Sequence, residues 1–437
     1  MSLPFGFGPA DPNDPRNPAG GFDAASLGAM LQQLGAMLQA GSTPDPDGGP
    51  VNWAMVLDGA RKQVAQTGDP SVSEADRRLV EESVRLADVW LDAAVTLPSV
   101  ASRPGAWSRS EWLEATMPVW KQVVAPIAEQ ATGLSLGGGT PDDINEQLQN
   151  LPESMRAMLP DGPEMAAMIA PMMGMVQQLG AAAFSMQLGQ ALAALASDVL
   201  GASDIGIPLT TTPQVALVVR NVATFSEGLS IPVDDVRLYL ALRESAHQRL
   251  FAHVPWLRPR IIGAVEEYAR GIRVDQDRIA EAMSGVDVSN PEALQNVLAS
   301  GVLQPEDTEE QRAALARLET LLALIEGWVD DVVTSAIDGR LASTSALQET
   351  MRRRRAAGGP AEKTFSTLVG MELRPRLLRE ASELFAIVGE RGGATERDAL
   401  WAHPDLLPGP EDLRDPQGFV QGSTMDFPFD DDQPPTT

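Results

Sequence analysis

Residues 236–255 read VRLYLALRESAHQRLFAHVP, and their periodicity decides the fold. At roughly 100° per residue, Val236, Tyr239, Leu240, Arg243, His247, Leu250 and Val254 project along one stripe of a helix, with Glu244 and Phe251 at its edge. Arg243 and His247 thus stand on an apolar face. A guanidinium cannot shed its charge, so if it is buried there it needs a carboxylate partner. The stretch therefore predicts a second element that carries acids inward.

Residues 308–337, TEEQRAALARLETLLALIEGWVDDVVTSAI, meet that requirement. Thr308 and Gln311 form a capping box, and the apolar residues after it recur at helical period. Leu315, Leu322, Val329, Val333 and Ile337 make the stripe. Glu326 and Asp330 fall on the same stripe one turn apart, so two acids on an apolar face also need a partner.

The run Arg243-Glu244-Ser245-Ala246-His247 matches the pattern H-E-x-x-H at all but its first position. In that pattern two His one turn apart bind zinc and the Glu is the general base. Here Arg243 stands where the first ligand belongs.

Taken together and in order, RESAHQRLFAHVPWL, IEGWVDDVV, ETMRRRRAAGGPAEKTF, LVGMELRPRLLREA and RDALWAHPDLLP resemble the actinobacterial zincin-like metallopeptidase type 2 family. The likeness runs from about Val51 to Val420, and the turn Asp204-Ile205-Gly206-Ile207-Pro208-Leu209 also fits. The resemblance implies a zincin-like core in which Glu244 is the general base, His247 and Glu326 are zinc ligands, and Asp330 is the carboxylate that orients a ligand His. It also implies a zinc-dependent hydrolase.

Arg243 departs from this pattern. A catalytic zinc has three protein ligands and one open position, and the resemblance supplies two. A permanent cation at about the distance of a ligand would repel the metal. Arg243 can instead fill the site, with its fork on Glu326, Asp330 or both. Three functions stay open at this point: a degenerate metallopeptidase kept as a binding or scaffold protein for a peptide or protein, an active zinc hydrolase, and an interaction protein that works through its ends.

A net charge of −27 argues against nucleic-acid and anionic-membrane surfaces, which require a basic face. The absence of cysteine excludes disulfides and thiolate zinc sites. Only His247, His253 and His403 are present, and His253 lies roughly 120° around the helix from His247, so the two do not chelate one ion from an unbroken helix. The start MSLPFGFGPADP lacks a basic n-region and an apolar h-region, from which a cytoplasmic protein is expected.

The expected architecture is mainly α with a small β element, as a single large body with disordered ends. It comprises a flexible tail with a short amphipathic helix over 1–48, a helical region over 49–205, the zincin-like core over 206–340, a C-terminal helical region over 341–415 and an acidic tail over 416–437. Residues 210–225, TTTPQVALVVRNVATF, are the best strand candidate. Residues 165–197 read as a buried, Met-lined helix or helix pair and not as a membrane span. Ser108 and Glu111 form a second capping box, and Trp107, Trp112 and Trp120 read as core. Gly133-Leu134-Ser135-Leu136-Gly137 matches G-x-S-x-G but follows a helix instead of a strand, which disfavours a nucleophile elbow. Asn290 and Pro291 open a short helix, and Gly358 to Pro360 read as a turn. Arg352 to Arg355 read as an anion site, as a solvated face or as an intramolecular partner for the surplus acids; the last two are favoured.

Overall fold

Side-chain caps define where several helices start. The Asn52 side chain accepts from the Met55 amide to open α1 (Trp53–Gln66), and Ser73 accepts from the Asp76 amide to open α2 (Glu74–Leu91). Ser108 and Glu111 satisfy each other's amides, at 3.1 and 2.7 Å, at the head of α3 (Arg109–Leu134). The computed structural model describes residues 49, 51–100, 102–134, 181–271, 308–356, 364 and 377–422, all within the unit Asp45–Thr437. The expectations for the segments around Leu27, Ser135, Pro171, Asn290, Gly358 and Glu372 and for the two ends lie outside these residues.

The remaining elements are α4 (helical over 181–196), α5 (Val219–Ser226), α6 (Val233–His253), α7 (Leu257–Arg270), α8 (Glu309–Ile337), α9 (Thr344–Ala356) and α10 (Leu378–Ala399). Two short 3-10 turns and the helices α11 (Pro410–Arg414) and α12 (Pro416–Gly422) follow. The protein is mainly helical with a very small sheet, as its periodicity implies. None of the described helices is long and apolar enough to cross a membrane.

The sheet is a parallel pair, β1 (Gly105–Trp107) with β2 (Ala216–Val218), in the register Gly105 to Ala216 and Trp107 to Val218. The strand expected over 210–225 is thus three residues long, and the chain turns helical at Val219. Asn221 explains the change, because its amide donates to the carbonyls of Ala196 and Val199 at 2.8 and 2.7 Å and ties the first turn of α5 to the end of α4. The other edge of β2 holds the chain at 200–202, through Val218 N to Leu200 O at 2.9 Å and Ala202 N to Ala216 O at 3.1 Å. The small sheet therefore fixes a loop that borders α6.

α6 lies between α2 and α8, while α8 also packs on α7 and α10. Gly327 permits the last contact, since a Cβ there would meet the Ala381 Cβ at 2.6 Å. Instead of burying the one stripe expected, α6 is buried on every side from Leu238 to Leu250. It has a partner on each face, and its charged residues are distributed among them. Arg249, 1% exposed, turns toward α2 and the chain after it, donating to Asp88 at 2.8 Å and to the Leu97 carbonyl at 3.1 Å.

A second buried polar network joins α8, α10 and the chain after α2. Arg397 donates to Asp398, Asp331 and the Ala94 carbonyl at 2.9, 3.1 and 2.7 Å. Asp398 also accepts from the Trp328 indole at 2.9 Å and from the Thr96 amide and hydroxyl at 2.7 and 2.9 Å. Removing one member of a buried pair leaves the other charge uncompensated. Asp398→Ala is expected to lower the unfolding free energy by about 3–5 kcal/mol in urea titrations.

Candidate functional site

Arg243 and His247 are one turn apart on the face of α6 that meets α8. The Arg243 guanidinium donates to Glu326 Oε2 at 2.5 Å, and its other terminal nitrogen lies 4.0 Å from Asp330. His247 Nε2 is 3.1 Å from Glu326 Oε1, while Nδ1 faces the Arg243 carbonyl at 2.8 Å. All four side chains are buried. The structure brings together Arg243, His247, Glu326 and Asp330, a contact the two stripes left open; His253 and His403 lie elsewhere, on the Pro98 carbonyl and beside Asp405.

Glu244 points to a different neighbour. Its carboxylate accepts from the Ser203 amide at 3.1 Å, the Ser203 hydroxyl at 2.9 Å and the Gln248 side chain at 2.9 Å. Gly201 makes this approach possible, because a Cβ there would come within 2.6 Å of the Glu244 carboxylate and 2.9 Å of the Ala216 carbonyl. Between Gly201, Arg243, Glu244, His247 and Met351 remains a space of about 10 Å³, close to the minimum for one water molecule.

Helix α9 closes the remaining side with arginines. Arg352 pairs with Asp330 at 2.6 Å, Arg354 with Asp204 at 2.8 Å, and Arg355 with Glu326 Oε1 at 2.8 Å; Arg353 stays outside on Glu349 at 3.0 Å. Of the readings open for the Arg run, the intramolecular partner is the one observed for these three side chains. Asp330 also accepts from the Ser382 hydroxyl at 2.9 Å. The sequence reading missed the roles of Ser203, Asp204 and Gln248. Only Gln248, one turn after Glu244, carries a local signal.

The charges respond to this packing. Burial works to raise the Glu326 carboxyl, but Arg355, His247 and Arg243 outweigh it and hold the group far below the usual carboxylate range. Arg354 and Arg355 likewise lower Asp204 against its burial. Glu244 is shifted the opposite way: burial raises it, and His247, Gln248 and Ser203 offset this only in part. Burial also pushes the Tyr239 hydroxyl, close to Arg243 and Asp330, up to about 12. Among the described residues no group of three or more His, Asp or Glu side chains is arranged to hold a metal ion.

The family model of the zincin-like metallopeptidases matches residues 51–420. A solved structure from Chloroflexus aurantiacus, described as a putative hydrolase with a novel fold, is similar at a TM-score of 0.55 and 19% identity, over 85% of this chain and 98% of that one. Likeness at that identity concerns the fold. No curated protein matches.

The Glu326 shift has a sign that can be tested. A carboxyl whose folded value is depressed contributes stability above its unfolded value and loses it as pH falls toward the folded value. The advantage of the parent over Glu326→Gln in urea unfolding is expected to be full at neutral pH and to shrink as the pH drops below the ordinary value of 4.5.

Proposed function

The chain belongs to the zincin-like metallopeptidase family, and we propose that it is a member in which a guanidinium has replaced the metal, leaving a binding or scaffold protein on a hydrolase framework. The observation that carries this reading is the 2.5 Å pair of Arg243 with Glu326. The family as a whole implies zinc. His247 and Glu326 are two donors where a catalytic zinc has three. Both oxygens of Glu326 are engaged by guanidinium groups, Arg243 on one and Arg355 on the other. These residues do not fit a catalytic zinc.

Replacement of a metal by an arginine is physically reasonable. Structural and catalytic metals neutralise buried carboxylates, and a forked, permanently charged guanidinium does the same with directed hydrogen bonds. The competing reading, a working zinc hydrolase in which Glu244 is the base and His247 and Glu326 are ligands, draws on a separate observation. Glu244 and His247 border the same water-sized space, and burial raises the Glu244 carboxyl in the direction that suits a general base.

Elemental analysis separates the two readings. Untagged protein, incubated with zinc and then freed of unbound metal, is expected to hold far less than one equivalent, and Arg243→His is expected to gain zinc that a further His247→Ala removes. Near-stoichiometric zinc in the parent, lost on His247→Ala, would overturn the proposal in favour of the hydrolase.

A further inference from the structure

Among the described residues helix α9 reaches the site through Met351 and three arginines. Among its described residues the buried apolar ones are Leu347 and Met351, and Met351 forms one wall of the space beside Glu244 and His247. One turn and less beyond it, Arg352, Arg354 and Arg355 reach Asp330, Asp204 and Glu326. The chain enters α9 through a reversal directly after α8, where Asp338 and Gly339 adopt left-handed backbone with φ of 25° and 73°. A short connection thus folds α9 back over α8 and α6.

The contrast with its neighbours matters. α6 and α8 are buried on all sides over long stretches, whereas α9 leaves Ser345, Ala346 and Arg353 exposed. Segments with few buried apolar contacts open at lower free energy than the core. The ion pairs of α9 resist opening less than their number implies, because each separated charge regains water when the helix lifts.

We propose that α9 is an arginine-pinned strap that closes the space beside Glu244 and His247 and lifts as a unit while the rest of the molecule stays folded. Lifting it removes the Met351 wall and three cations: Arg352 from Asp330, Arg354 from Asp204, and Arg355 from between Glu326 and Asp204. Arg243, anchored in α6, remains on Glu326. The open site therefore exposes Glu244 and His247 together with surplus carboxylate, and the closed site hides all of them.

The absence of cysteine allows one thiol to be placed at will. Leu240→Cys puts it on α6 in the wall of the space, and Val64→Cys puts it in the core at α1, away from the strap. Under native conditions a thiol reagent traps whichever opening exposes each site. The Leu240→Cys thiol is expected to react at least about ten-fold faster than the Val64→Cys thiol. Leu347→Ala loosens the strap without leaving an acid unpaired; it is expected to accelerate Leu240→Cys roughly ten-fold more and to leave the Val64→Cys rate unchanged. Equal rates at the two thiols in the parent, acceleration of both in parallel, or no effect of Leu347→Ala on Leu240→Cys would each overturn the strap.

Discussion

The buried ion pair between Arg243 and Glu326 constrains most of what surrounds it. A guanidinium 6% exposed cannot be neutralised, so α6 must meet a carboxylate there, and α8 supplies it. Glu326 in turn carries more than one cation. Its two oxygens are shared by Arg243, His247 and Arg355, and this surplus is balanced by Asp330 and Asp204 nearby. Breaking such a set at one member costs more than the whole set contributes relative to apolar packing. Its presence is therefore weak evidence for stability.

The small sheet serves this arrangement from the other side. β2 holds 200–202 against its edge, Gly201 admits the Glu244 carboxylate, and Ser203 donates to it twice. Among the described residues Glu244 has no salt-bridge partner in this polar cradle, and burial raises its carboxyl. Adjacent residues of one helix turn thus meet opposite environments. Arg243 lies among acids, whereas Glu244 lies among neutral donors.

Helical periodicity was enough to set Arg243 and Glu326 on apolar stripes where each charge demands a partner, but their contact across α6 and α8 came from the structure. Periodicity also located α8 with its capping box, and the core tryptophans. Other parts of the site left no such trace. Ser203 and Asp204 belong to a loop whose position depends on β2 and on arginines some 150 residues away, and no local pattern encodes that pairing. The expectation of a single buried stripe on α6 failed for a related reason. Glu244 stands at the edge of that stripe and Arg249 outside it, yet each is buried against a partner on α2 or on the 200–206 loop. Buried polar residues mimic a solvated face whenever their partners are distant in sequence. The short strand followed the same logic, because Asn221 takes its partners from α4.

The most direct measurement is a double-mutant cycle in urea on Arg243→Met, Glu326→Gln and the double variant at neutral pH. If the guanidinium is the counter-charge that holds the site together, each single change is strongly destabilising and the double recovers part of the loss, with a coupling of about 2 kcal/mol or more. Additivity within about 0.5 kcal/mol would contradict it, because Arg243 would then be a bystander beside a carboxylate held by other partners.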